Sequence, residues 1–198
     1  MLINYWDDIK IQQKDYKFVL LINLKLFIMK KLFVTALAVF TFVAVDAQTD
    51  FGLTAGYSSN SVKDGDSGSG FNIGAFVDLD ISDNFSVQPE LVYTNSSFDG
   101  SSYNLFSVNA MAKFNVSEDF SILAGPQFGF ASGDLPDALD ALAGDDFSSM
   151  NIQLAVGLAY SFSENIFAQA RYGFMLNDHV DGADVKVNTF SVGLGYKF

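Results

Sequence analysis

The chain has 198 residues, 11 Lys and Arg against 23 Asp and Glu, and no Cys. Its net charge of −12 argues against a nucleic-acid binder, whose surface is basic, and the lack of Cys rules out disulfides and thiol chemistry. Phe is abundant at 21 residues while Pro is scarce at 3, a profile suited to strands rather than to Pro-rich linkers.

Residues 1–28 contain Trp6, Asp7, Asp8 and a Lys-interrupted apolar patch without β alternation. They are read as an upstream extension, with the true start at Met29; an unusually long leader is the alternative. Met29-Lys30-Lys31, the apolar run Leu32 to Val45 and the small-residue step Val45-Asp46-Ala47 form the three regions of a signal peptide. Residues 29–47 are therefore expected to be removed by cleavage after Ala47. The apolar run is about 14 residues, short of the roughly 20 a spanning helix needs, which disfavours a membrane anchor. Residues 48–198 hold 5 Lys and Arg against 19 Asp and Glu, a net charge of −14, in a length that makes one domain.

Eight segments then alternate apolar with small or polar residues, the period-2 signature of strands. In chain order they are Phe51 to Tyr57, Phe71 to Leu79, Phe85 to Tyr93, Phe106 to Phe114, Phe120 to Phe130, Ile152 to Phe162, Ile166 to Phe174 and Asn188 to Phe198. Phe76, Val92, Leu123 and Phe167 interrupt the pattern as apolar filling on the polar face. Ser82-Asp83-Asn84-Phe85, Ser117-Glu118-Asp119-Phe120 and Ser163-Glu164-Asn165-Ile166 repeat one tight turn, with Ser, Asp and Asn bonding back to the backbone. The other connections are longer and polar: Ser58 to Gly70, Asn95 to Asn104, Ala131 to Ser149 and Asn177 to Lys186. Short turns at one end and long loops at the other predict an all-β fold, an eight-stranded antiparallel up-and-down transmembrane β-barrel over residues 48–198. Both chain ends then face the periplasm. A soluble barrel would show the same alternation with its apolar face inward. Aromatics near strand ends and Gly, Ser, Asn and Gln on the polar face favour lipid outside.

The polar face carries few charges: Asp78, Asp80, Glu90, Lys113 and Arg171. Counted from the short turns, Glu90, Arg171 and Lys113 fall at similar depth. Isolated charge in a narrow lumen is costly, so a Glu90–Arg171 pair with Lys113 nearby is expected. Such a network either plugs and stiffens the barrel or forms a gate or polar relay. The loops hold most remaining acid: Asp64 and Asp66; Asp134, Asp137, Asp140, Asp145 and Asp146; Asp178, Asp181 and Asp184. Their spacing completes no calcium-loop motif, so no metal or cofactor is expected and the acid reads as a solvated face. Asp137 to Leu142 predicts one or two helical turns that cap the mouth or meet a partner. The single His, His179, reads as a solvated loop residue with no Ser placed beside it, so no catalytic activity is expected.

The final strand runs Ser191-Val192-Gly193-Leu194-Gly195-Tyr196-Lys197-Phe198. Ser191, Gly193, Tyr196 and Phe198 resemble the C-terminal assembly signal of bacterial outer-membrane barrels. The phrases Gln88-Pro89-Glu90-Leu91-Val92-Tyr93, Ala124-Gly125-Pro126 and Ala170-Arg171-Tyr172, in this order, resemble the small outer-membrane β-barrel ("porin") family, with the layout of the OmpA transmembrane domain and OmpX. The resemblance covers nearly all of residues 48–198. One stretch departs from it: Ser107-Val108-Asn109-Ala110 stands where members often carry a Pro-containing phrase. It implies a bacterial outer-membrane protein, surrounded by lipid, folded by the barrel assembly machinery and monomeric. Its function would then be a structural or surface-interaction one through acidic extracellular loops. The alternative is a narrow pore or a component of a transport or secretion assembly.

Overall fold

The computed structural model describes residues 49–62, 65, 67–180 and 185–198. The expected extension and signal peptide, and Asp64, Asp66, Asp181 and Asp184, lie outside the described residues.

Eight strands follow one another around a closed antiparallel barrel: β1 (Thr49–Val62), β2 (Ser67–Ser82), β3 (Phe85–Phe98), β4 (Ser101–Asn115), β5 (Phe120–Ser132), β6 (Met150–Ser161), β7 (Ile166–Met175) and β8 (Val187–Lys197). A helix, α1 (Asp134–Ala143), and a 3₁₀ turn (Gly144–Asp146) fill the β5–β6 connection. The barrel closes where β8 pairs β1, from Gly52↔Lys197 to Val62↔Val187, and the Phe198 N–H donates to the Phe51 carbonyl at 2.8 Å. No sheet edge remains, which satisfies every ladder group without water.

All eight expected segments are strands, but they run further than the apolar alternation does. Asn95 to Asn104 forms a paired hairpin, not a long loop. Phe98 pairs Ser101 across Asp99-Gly100, both with positive φ (44° and 87°). Asp-Gly supplies the two left-handed residues that a two-residue hairpin turn needs. Likewise Ser58 to Ser61 pairs both β2 and β8, through Ser59↔Ser69 and Asn60↔Thr189, and Val62 continues the ladder with β8. The opposite end carries the short turns, but only two of the three share one geometry: Ser82 pairs Phe85 directly across a two-residue turn. Ser117 and Ser163 Oγ accept the Phe120 and Ile166 N–H groups at 3.1 Å, the same turn used twice.

The barrel has an inverted solubility pattern. Outward side chains form a continuous apolar belt, including Leu53, Ile73, Phe128, Leu154, Leu158 and Leu194, each 45–58% exposed. Inward ones include buried Asn60, Ser86, Gln88, Asn109, Asn151 and Gln153. A belt of that extent on a monomer would aggregate in water and is matched by lipid. Among the described residues no helix is long and apolar enough to cross a membrane, so the strands are what cross.

Candidate functional site

The lumen is packed in layers, which β4 reads off in order from its short-turn end: Lys113, Met111, Asn109, Ser107, Leu105 and Tyr103. Eight strands leave an interior just wide enough for side chains to fill.

The central polar layer is built on Glu90. Arg171 Nη1 and Nη2 donate to Glu90 Oε2 and Oε1 at 2.5 and 2.6 Å, a bidentate pair from opposite sides of the barrel. Gln88 Nε2 and Asn109 Nδ2 donate to the same carboxylate at 2.6 and 3.1 Å, and Gln169 Oε1 accepts from Arg171 at 2.7 Å. Both charges are buried, Glu90 at 2% and Arg171 at 7% exposure, so each is stabilised only by this ring of partners.

Lys113 does not join that layer. It pairs Asp78, whose other oxygen accepts from Ser86 Oγ at 2.6 Å. The register explains the split: Glu90 lies opposite Asn109, whereas Lys113 lies opposite Ser86, four residues nearer the turn. Residue counts from a turn do not convert to equal depth when strands tilt. Asp80 stays outside both pairs, exposed at the end of β2 next to a register shift.

Apolar filling separates these polar groups. Phe76, Met111, Leu123, Ala155, Ala159 and Phe167 form one buried cluster. Phe76 and Phe167 meet edge to face at 5.6 Å. Their rings lie on Gly52 and Gly195, where a Cβ would fall inside the ring. Residual lumen space includes cavities of about 40 and 10 Å³, each small enough to hold only a water or two. Toward the outside, Gln153 Nε2 donates to Thr189 Oγ1, Thr189 to Asn60 Oδ1, and Asn60 to Ser96 Oγ, a chain running across the barrel.

A second apolar cluster, Phe98, Tyr103, Leu105, Ala131, Met175 and Val187, closes the outer mouth, with Val62 and Leu135 against it. Above it sits α1, longer than the one or two turns expected. Pro136 falls in its first turn, where no intrahelical N–H is required, and Gly144 at φ 58° ends it. Ser102 N and Oγ donate to Asp134 Oδ2 at 3.1 and 3.0 Å, anchoring the helix to β4 and holding the Asp134 carboxyl below its usual range.

His179 corrects the expectation of a solvated loop residue: it is 1% exposed. The β5–β6 and β7–β8 connections meet through a Phe147↔Val180 bridge and bury it between them. Its Nδ1 bonds the Ser148 carbonyl at 2.7 Å, its Nε2 lies 3.2 Å from the Tyr103 hydroxyl, and Phe147 stacks on it at 6.1 Å. Burial depresses its pKa below 6.5, outweighing the Ser148 carbonyl and the Asp178 charge. Because the folded value is lowered, the open cap binds more protons than the closed one as pH falls below 6.5. Cap stability is therefore full above about pH 6.5 and declines below it, while Asp134 remains ionised. The protection factors of the Ser148 and His179 amides, taken relative to the intrinsic exchange rate at each pH, are expected to fall between pH 7.5 and 5, and His179→Gln is expected to abolish that fall.

A family model described as outer membrane protein beta-barrel domain matches residues 32–198. The chain belongs to this family. Its lipid belt and closed eight-strand topology are thus those of a bacterial outer-membrane barrel. The fold is also that of Ail, the attachment invasion locus protein of Yersinia pestis. That structure is 22% identical, with 75% of this chain and 98% of Ail covered and a TM-score of 0.51. Neisserial surface protein A gives 19% identity, 76% and 97% coverage and a TM-score of 0.51. No curated protein sequence matches the chain. Among the described residues no group of three or more His, Asp or Glu is arranged to hold a metal.

Proposed function

We propose that this barrel is a closed, non-catalytic scaffold that displays an acidic cap at the cell surface, where the cap engages a cationic extracellular partner. In this reading the chain is exported with cleavage after Ala47. The assembly machinery then recognises Ser191, Gly193, Tyr196 and Phe198, and the barrel stands as a monomer in lipid.

The observation that carries the reading is the contrast between a filled lumen and a polar, projecting outer end. Glu90–Arg171 and the Phe76–Phe167 cluster occupy the lumen, whereas Asp137, Asp140 and Asp146 are exposed on and beside α1. Leu142, 87% exposed on the same helix, adds an apolar contact within this acidic surface. The pore reading has less support, because the water-sized lumen cavities offer a solute no route. The catalytic reading has less still, because His179 and Tyr103, whose hydroxyl it faces, are each only 1% exposed, and the other ring nitrogen is held by the Ser148 carbonyl.

Proteoliposomes carrying the barrel are expected to bind polylysine-coated beads, with binding weakening steeply as salt rises. Replacing Asp137, Asp140 and Asp146 by Asn is expected to cut that binding severalfold while leaving the folded barrel intact. Undiminished binding by the triple variant would contradict a role for the cap.

A further inference from the structure

Between α1 and the closed mouth lies a cavity of about 130 Å³ that belongs to neither the lumen nor the acidic surface. Its wall includes Val62 from β1, Leu139 from α1, Phe147, Val187 from β8, and the Tyr103–His179 pair. We propose that it is a binding site for a small uncharged aromatic molecule of one ring.

Three properties of the wall select that class. The first is hydrogen-bonding capacity. Tyr103 Oη accepts from Asn151 Nδ2 at 3.2 Å and faces His179 Nε2, while His179 Nδ1 is held by the Ser148 carbonyl. The polar atoms at the rim are thus committed to one another, and the rest of the wall is Val, Leu, Pro and Phe. An occupant with its own polar groups would lose water bonds without replacement. The second is size. A dry apolar cavity of about 150 Å³ accepts benzene, and a space of about 130 Å³ is of the size for one ring. Phe147, Tyr103 and His179 line the cavity as rings already packed on one another, a cluster that a further ring extends. The third is charge. Asp134, Asp137 and Asp140 lie on α1, the helix that forms one wall, while the nearby Asp178 is paired with Lys186, so the excess charge repels a carboxylate such as a fatty acid or benzoate.

α1 forms one wall because Leu135 and Leu139 stand one turn apart on its inner face, with Pro136 buried between them. Closing the site therefore depends on the same Ser102–Asp134 anchor that holds the helix.

The test is a benzene titration of the methyl-labelled barrel in lipid nanodiscs, followed by methyl NMR. Benzene also dissolves in lipid, so outward-facing Leu154, Leu158 and Leu194 report partitioning while Val62, Leu139, Val185 and Val187 report the cavity. The expected result is a saturating shift at the cavity methyls against a linear drift at the belt. Leu139→Trp fills the space and is expected to lose the saturating response. Its Ser148 and His179 amides should keep their wild-type protection from hydrogen exchange, which reports a closed cap, and Val187→Phe gives a second filling from β8. Linear drift at every methyl would overturn the proposal. So would saturation that survives both filled variants with that amide protection intact. Benzoate saturating the cavity methyls as benzene does would overturn the assignment of a neutral occupant.

Discussion

Arg171→Ala is expected to destabilise the refolded barrel by about 3–5 kcal/mol, read as a shift in urea unfolding from lipid vesicles. The size follows from what remains, not from what is removed. Glu90, 2% exposed, would keep Gln88 and Asn109 as donors but lose both charge-assisted bonds from the guanidinium. Arg171→Glu is worse, because it sets two carboxylates against each other, and it is expected not to refold. The pair itself is not expected to be a large net source of stability: desolvation offsets most of the attraction. Glu90→Leu with Arg171→Met should therefore recover most of the loss, since the Phe76–Leu123 cluster already supplies apolar neighbours. A double variant as unstable as the single one would show that the charges contribute more than mutual compensation. The Lys113–Asp78 pair should give a smaller effect, because the Lys113 side chain is 16% exposed and Ser86 would still serve Asp78.

Phe76→Ala and Phe167→Ala are each expected to cost about 3–5 kcal/mol, the range for a buried Phe truncation whose cavity cannot collapse. Collapse is prevented here because the ladders of a closed barrel fix the wall positions. The two rings touch each other, so the double variant should fall short of the sum by about 0.5–1.5 kcal/mol. The same packing makes Gly52 and Gly195 the floor of the cluster, one beneath each ring. Gly195→Leu should therefore impair folding from the other side of the same contact, by forcing Phe167 off its seat. Unfolding of the double variant indistinguishable from wild type would remove the apolar cluster from the account.

Much of this architecture was legible in the chain, and the reason is physical. Where strands cross lipid, every second side chain must be apolar, so Phe51 to Tyr57 or Ile152 to Phe162 announces itself. Beyond the lipid band that constraint lapses. Ser58 to Val62 and Asn95 to Phe98 remain strands because Asn60, Ser96 and Thr189 bond across the lumen, a pattern with no period in sequence. Asp99-Gly100 was a readable turn signal hidden in a polar run. The opposite signs of Glu90 and Arg171 suggested a pair. Assigning Lys113 to a separate layer with Asp78 required the register, which residue counting does not supply. The burial of His179 had no local signal, since it depends on two loops meeting through Phe147 and Val180. The stacked Phe147 and the Tyr103 contact come from residues 32 and 76 positions away.

The central claim is that the lumen is closed, and electrical recording tests it most directly. The barrel reconstituted into planar bilayers in molar KCl should show no stepwise openings above the leak of the bare membrane, with the acidic cap intact and at either polarity. Uniform, reproducible conductance steps from the wild-type barrel would contradict the account and return the Glu90–Arg171 layer to the role of a gate.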